Sequence, residues 1–339
     1  VSIFKITAKL LKALKLQRCR RDLHLWHIFC CFNDGKSGAL DFVNVCQTNA
    51  KGGEMMLFQN PKSFNEALKL LDSYKDFDLV ILAGGTDVVP KMNSRPEKSG
   101  YFDSDLVDFD KRAIVYLGNA ELKYIKDQGD KVVIGAMTTM TEILESDVTD
   151  KVPVLKEAIR ELAGLTIRNT ATIGGNIMNA SPAADSVPAL MVMDAKIVVA
   201  SLDGEKTLTL DSIFEGPGKT CLKSNELLKE IIIPVKPGNA TFIKYGRRKG
   251  ESLSIVNGAV YAEFDGKVCR NAKIAIGSVA PTPLRAEAVE QAVNDTELSD
   301  EVLAEAAEIA AGLANPIDDK RGSGAYRTKL VKVLVKRAL

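Results

Sequence analysis

The chain has 339 residues, 46% of them hydrophobic and 26% charged, and its 45 Lys and Arg nearly balance 44 Asp and Glu for a net charge of +1. That is the composition of an ordinary globular protein long enough for two or three small cores, and it argues against nucleic acid or a membrane surface as a partner. No apolar run approaches the length of a transmembrane helix.

In chain order, the first 54 residues stand apart. Lys9 to Arg21 is basic without an acid, and Trp26 to Phe32 is aromatic and rich in cysteine. Arg20, Arg21 and Asp22 break up any signal-like apolar stretch, and Cys30, Cys31 and Cys46 have no regular ligand spacing with His24 and His27. Back-translation of Lys51-Gly52-Gly53-Glu54-Met55-Met56 gives a purine-rich string of the kind that precedes a bacterial start codon. Residues 1–54 are therefore expected to be a non-native, disordered leader, with translation starting at Met55 or Met56.

Beyond Met55, Ser63 and Glu66 read as a capping box for a helix whose buried stripe is Phe64, Ala67, Leu68 and Leu71. Leu79 to Ala83 is a continuous apolar run, a buried strand that ends in Gly84-Gly85 and closes a first subdomain near Asp110. Val132 to Ala136 is a second strand, Thr139 and Glu142 a second capping box, and Val154 to Ala163 an amphipathic helix leading to Gly174-Gly175. Lys196 to Leu202 alternates toward a strand, and Glu226 to Pro234 ends this subdomain. After a linker at Pro234 to Gly238, Phe242 to Tyr245, Ala259 to Phe264 and Lys273 to Ser278 read as a smaller sheet. Two helices end the chain, Glu301 to Leu313 capped by Ser299, and Tyr326 to Leu339, whose Lys329, Lys332, Lys336 and Arg337 suit a solvated face or a partner surface.

The rare residues exclude several mechanisms. After Met55 only Cys221 and Cys269 remain, and no histidine. Two thiols cannot ligate an iron–sulfur cluster, and without a histidine base there is no Ser-His-Asp or Cys-His hydrolase in the main body. Both cysteines read as small apolar fillers in a reducing cytoplasm.

The glycine pairs carry the positive signal. Gly-Gly at the end of an apolar run lets the backbone take positive φ and bring bare N–H groups to an anion, and two such turns suggest a two-sided cradle for a pyrophosphate. Neither is the G-x-G-x-x-G or the Walker pattern.

Around these turns the chain resembles the FAD-binding medium subunit of molybdenum hydroxylases, of the xanthine dehydrogenase and carbon monoxide dehydrogenase type. The resemblance rests on Leu82 to Asp87, Ile134 to Thr139, Ile167-Arg168-Asn169 running into Thr172 to Asn176, Ser181-Pro182 with Asp185, Leu227-Leu228 and Ile231 to Pro234, Lys244 with Arg247-Arg248, and Val279 to Ala286. Gly216-Pro217-Gly218-Lys219-Thr220 tilts it toward the xanthine dehydrogenase branch.

The resemblance implies an α+β chain: a two-subdomain FAD-binding fold of the vanillyl-alcohol-oxidase (PCMH) type over 55–234, divided at about 110, then a small C-terminal α+β domain over 239–339. It implies noncovalent FAD held by Val80, Ile81, Leu82, Ala83, Gly84, Gly85, Thr86 and Asp87 on one side and Thr172, Ile173, Gly174, Gly175 and Asn176 on the other. Asp185 would accept hydrogen bonds from flavin-side hydroxyls, or cap the turn after Pro182. Leu162 and Leu228 would line the pocket, or belong to the core. Lys219 would contact the cofactor, or face solvent. Lys244 would set a positive charge beside the isoalloxazine, and Arg247, Arg248 and Lys249 would steer NAD or pair with surface acids. Where the family often has Asp-Ile-Ala, this chain has Ser252-Leu253-Ser254, so the role of that aspartate is not carried over.

The function implied is electron transfer, from 2Fe-2S clusters through FAD to NAD. Clusters and molybdenum cofactor would lie only in partner chains, an iron–sulfur small subunit and a molybdopterin large subunit, assembled as a cytoplasmic dimer of heterotrimers. The rivals are a self-contained flavin oxidase or dehydrogenase, and a module that holds FAD without turnover.

Overall fold

Strand β1 (Leu57–Gln59) and helix α1 (Phe64–Ser73) open the part of the chain that the computed structural model describes, residues 57–93 and 112–339; the expectation for residues 1–54 lies outside the described residues. Ser63 accepts from the Glu66 amide, while Glu66 returns to the Lys62 amide at 2.8 Å, one residue short of a reciprocal box. Strand β2 (Asp78–Leu82), helix α2 (Val88–Asn93) and strand β3 (Arg112–Tyr116) follow. Both β1 and β2 pair in parallel with β3. The first sheet therefore takes its central strand from beyond the division expected near residue 110. Ala113, Ile114 and Val115 are fully buried there, as a strand flanked on both sides requires.

The second layer holds β4 (Ile125–Asp127), β5 (Lys131–Gly135), β6 (Lys196–Ser201), β7 (Gly204–Thr209), a small hairpin of β8 (Phe214–Gly216) and β9 (Lys219–Thr220), and β10 (Leu227–Pro234). Its main sheet is antiparallel in the order β4-β5-β10-β6-β7. Between β5 and β6 run five α-helices, α3 (Met140–Glu145), α4 (Pro153–Glu161), α5 (Leu165–Arg168), α6 (Ile173–Met178) and α7 (Ser186–Val192), with a short 3-10 helix at Asp147–Lys151. The Thr139–Glu142 capping box forms in both directions, and Pro153 at the first position of α4 supplies a preset helical φ.

The C-terminal part is an antiparallel sheet of β11 (Asn239–Gly246), β12 (Ser254–Asp265), β13 (Val268–Gly277) and β14 (Leu284–Arg285), packed on α8 (Glu287–Val293), α9 (Asp300–Leu313) and α10 (Gly324–Ala338). The largest core does not stop at the linker: Phe242, Ala259, Tyr261 and Ala275 of the C-terminal sheet pack into the same cluster as Ile134, Ile159 and Leu190. Helix α7 lies at this junction with every residue buried. Cys269 is fully buried, and burial pushes its thiol up; Cys221 is exposed, so the filler reading fails for it. No described helix is long and apolar enough to cross a membrane.

Candidate cofactor site

The first glycine turn follows β2. Gly85 adopts φ +69°, a left-handed conformation that glycine reaches without strain. The amides of Gly84, Gly85, Thr86 and Asp87 have no acceptor among the described residues. This is the concavity of bare donors that an anion fills. Lys91 on α2 pairs with Asp87 and also reaches Asn179 at 3.4 Å, tying the turn to the end of α6.

The two turns meet. A Cβ on Gly84 would lie 1.9 Å from the Thr170 carbonyl oxygen, and one on Gly175 would lie 3.7 Å from the Ala83 Cβ. Only glycine at 84 allows the chains to pass this closely.

The second turn is built differently from its sequence pattern. Gly174 and Gly175 are helical, the second and third residues of α6, and Thr172 is the N-cap. Its amides are already used: Ile173 donates to Thr138 at 3.0 Å, Gly174 to Ala136 at 2.9 Å, Gly175 to the Thr172 hydroxyl at 3.1 Å, and Asn176 to the Thr172 carbonyl at 3.0 Å. Glycine is needed at 174 for space, since a Cβ there would meet Ala136 at 2.7 Å. The side chain of Asn176 accepts from Ser186 at 2.6 Å.

The segment between α4 and α6 is pinned. Ala163 takes φ +44°, and the Arg168 guanidinium donates to the Leu162 and Ala163 carbonyls at 2.8 and 2.7 Å. The side chains of Leu162 and Leu228 sit in the main core. Ala180 also takes φ +44°, and its carbonyl accepts from Gly218 at 3.0 Å, which seats the β8–β9 hairpin beyond the end of α6 with Lys219 exposed. Val80, Ile81 and Leu82 are half-buried on an edge strand.

Asp185 and Lys244 are brought together. Asp185, 6% exposed, accepts from Lys244 at 2.8 Å, from the Ser254 hydroxyl at 2.5 Å and from the Asn257 amide at 2.7 Å. It makes no side-chain cap for α7. Lys244 also donates to the Glu161 carbonyl at 2.7 Å. Beside it opens a cleft of about 460 Å³ lined by Glu161, Lys244, Tyr245, Arg248, Lys249 and Ser252. Arg248 closes its own loop, donating to the Gly250 and Glu251 carbonyls at 3.0 and 2.7 Å, and Arg247 reaches the Lys320 carbonyl at 3.4 Å.

Sequence reasoning quoted Arg168 and Ser254 without giving them a role, and did not single out Asn257 or the carboxylate at the other end of α7, Asp194. Asp194 receives Lys236 at 2.5 Å, Arg285 at 3.4 Å and Lys273. Burial alone would raise its carboxyl, yet the hydrogen bonds from Lys236 and Lys273 hold it below the usual carboxylate range. Burial pulls the Lys236 ammonium down in spite of that bond, with Lys273 adding repulsion. Among the described residues no group of three or more His, Cys, Asp or Glu is placed to hold a metal.

Residues 53–236 match the family described as FAD binding domain in molybdopterin dehydrogenase, and residues 241–339 match the CO dehydrogenase flavoprotein C-terminal domain. The chain belongs to this FAD-binding family of molybdenum hydroxylase subunits. It is 32% identical to the glyceraldehyde dehydrogenase medium chain of Sulfolobus acidocaldarius, over 82% of this chain and 94% of that one. It is 31% identical to a xanthine dehydrogenase FAD-binding subunit of Escherichia coli, over 76% of this chain and 87% of that one. Among solved structures, a carbon monoxide dehydrogenase of Hydrogenophaga pseudoflava lacking the Mo-pyranopterin moiety of its cofactor superposes with a TM-score of 0.77 at 30% identity, covering 84% of this chain and 95% of its counterpart. The fold is accordingly the PCMH-type FAD-binding domain followed by the C-terminal domain of this flavoprotein family. The residues present fit the cofactor, because the first turn offers four amides unpaired among the described residues, at a place where a side chain on Gly84 would close the gap.

Proposed function

We propose that this chain is the flavin link of a molybdenum-containing hydroxylase, taking electrons from iron–sulfur clusters in a partner chain and passing them to NAD. The observation that carries the reading is the Gly84–Asp87 turn, with its unpaired amides closed against Thr170. Bound there, FAD would supply the exchange between single electrons and a hydride. The chain's own residues would do the rest. Gly84 to Asp87 hold the pyrophosphate through backbone donors, while Thr172, Ile173, Gly174, Gly175 and Asn176 form the opposite wall by close packing and by the Asn176 side chain. Val80 to Ala83 supply an apolar flank.

Asp185 and Lys244 would then stand at the flavin side, with Leu162 and Leu228 behind them and Lys219 at the rim. The cleft beside Lys244 is the place for the acceptor. Its cations, Arg248 and Lys249, with Arg247 nearby, favour an acidic dinucleotide. The iron–sulfur small chain, the molybdopterin large chain, a dimer of heterotrimers and a cytoplasmic setting belong to the same proposal. The Gly216 to Thr220 hairpin supports the xanthine dehydrogenase branch.

Two measurements test this. Acid precipitation of purified protein should leave yellow FAD in the supernatant; a colourless protein would overturn the flavin assignment. Under anaerobic conditions NADH should bleach the flavin band of the isolated chain, and xanthine without partner chains should not. Bleaching by xanthine alone would defeat the subunit reading, and failure of NADH to bleach the assembled complex would remove NAD as acceptor.

A further inference from the structure

Asp185 belongs to the FAD-binding part of the chain, but every donor it receives from a side chain comes from the C-terminal sheet: Lys244 on β11 and Ser254 and Asn257 on β12. Lys244 and Asn257 are direct cross-strand partners in the β11–β12 ladder, so they share a face. Ser254 lies three residues before Asn257 and would face the other way in a regular strand. It does not, because the register shifts between Tyr245, opposite Val256, and Gly246, opposite Ser254. The bulge places an extra residue, Ile255, in β12 and turns the Ser254 hydroxyl toward the carboxylate. Bulges are used in this way to re-aim a side chain.

Asp185 is 6% exposed and Ser254 and Asn257 are fully enclosed, and the side chain of Lys244, a half-buried residue, is itself 4% exposed. The Asn257 amide also reaches the Ser254 oxygen at 3.4 Å, which closes a ring of three side chains. Gly277 keeps the space open, since a Cβ there would lie 2.1 Å from the Asn257 side-chain oxygen. The ring fixes Asp185, and Asp185 fixes Lys244. An ammonium has three donors. Lys244 gives one to Asp185 and one to the Glu161 carbonyl, and the third has no acceptor among the described residues although Lys244 lines the cleft.

We infer that Ser254 and Asn257 are positioning residues, which act through Asp185 to hold the Lys244 ammonium in the cleft wall with one donor available to the flavin and its acceptor. The inference rests on the flavin reading above, but its geometry is testable apart from it. A positive charge held in place favours an anion developing beside it far more than one that must reorganise.

The test compares Ser254→Ala and Asn257→Ala with Lys236→Met. The last loosens the same junction at Asp194 and does not touch Asp185, so it reports what a weaker junction does alone. With the full chain, acylation of each lysine by acetic anhydride is followed by mass spectrometry. Lys244 should label about tenfold faster in Ser254→Ala and in Asn257→Ala, the loss expected for one hydrogen bond to a charged group, and at the parental rate in Lys236→Met. In the flavin-loaded protein, the same two variants should shift the flavin midpoint potential downward while thermal unfolding of Ser254→Ala moves no more than that of Lys236→Met.

Unchanged Lys244 labelling in both ring variants overturns the inference. So does an equal rise in Lys236→Met. Absence of flavin from the parental protein overturns the flavin reading instead, and leaves the labelling to decide the positioning role.

Discussion

The two glycine turns have the same dipeptide and different physics. At Gly84-Gly85 the second glycine is left-handed and four successive amides are unpaired among the described residues; at Gly174-Gly175 both residues are helical and the amides are spent on Thr138, Ala136 and Thr172. The first turn is a donor surface. The second is a packing surface, in which glycine at 174 lets α6 approach Ala136. A Gly-Gly pair therefore marks a place where a side chain is not tolerated, and does not say whether a ligand or another backbone is the reason.

The sharpest test is Gly84→Ala, where both reasons apply. Its Cβ would fall 1.9 Å from a backbone carbonyl that cannot swing aside. The turns must separate, at a cost of about 3 kcal/mol in overpacking. Denaturant unfolding should show that loss, and flavin should be absent from the purified protein. Parental stability in this variant would mean that the two turns do not touch.

Gly174→Ala comes next and should separate stability from binding. Alanine gains about 1 kcal/mol of helix propensity over glycine, but its Cβ would meet Ala136 at 2.7 Å, against both side chain and backbone. The net expectation is a loss of about 2 kcal/mol, with flavin still bound by the variant that folds. If flavin were lost with stability intact, the second turn would be a donor surface after all.

What was legible in the sequence follows from the same distinction. β2 was visible as an apolar run with its glycine stop, and the Thr139–Glu142 box as a local pattern, because each depends on residues within a few positions of one another. The central strand β3 was not, since its partners lie more than thirty residues earlier in the chain and it carries no turn signal at the expected boundary. The ring around Asp185 was hidden for a stronger reason: Ser254 and Asn257 share a target only because a bulge breaks the period of two on which strand reading relies. Asp185 and Lys244 were singled out by resemblance, but their pairing with one another has no local signature. Substrate is the least legible property, as relatives named for glyceraldehyde and for xanthine stand at 32% and 31% identity.

Gly85→Ala reverses the pattern expected of Gly174→Ala. A left-handed alanine costs about 1 to 2 kcal/mol, and Val89 must give way at 3.1 Å. The fold should survive that, while relaxation of the turn out of the left-handed region dissolves the row of amides. Flavin affinity should fall further than stability. Asparagine tolerates this conformation better, so Gly85→Asn should recover part of the loss in a flavin titration; an asparagine variant no better than alanine would mean that the backbone angle is not what the site needs.

The smallest effect is expected at Thr172, and it bears most directly on how the second turn is built. Thr172→Ala removes the hydroxyl that accepts from Gly175 at 3.1 Å and so deletes the N-cap of α6. Losing such a cap costs about 1 kcal/mol. The same change releases the Gly175 amide, which makes the second turn more like the first. If that amide then serves the pyrophosphate, flavin should compensate: the variant should be less stable than the parent without flavin and closer to it with flavin saturating, because a ligand that binds the folded state adds stability in proportion to the logarithm of its concentration over its Kd. Thermal unfolding at several flavin concentrations measures both terms. A gap between variant and parent that stays constant across the titration would show that the second turn takes no part in binding beyond its shape, leaving Gly84 to Asp87 as the backbone donors of the site.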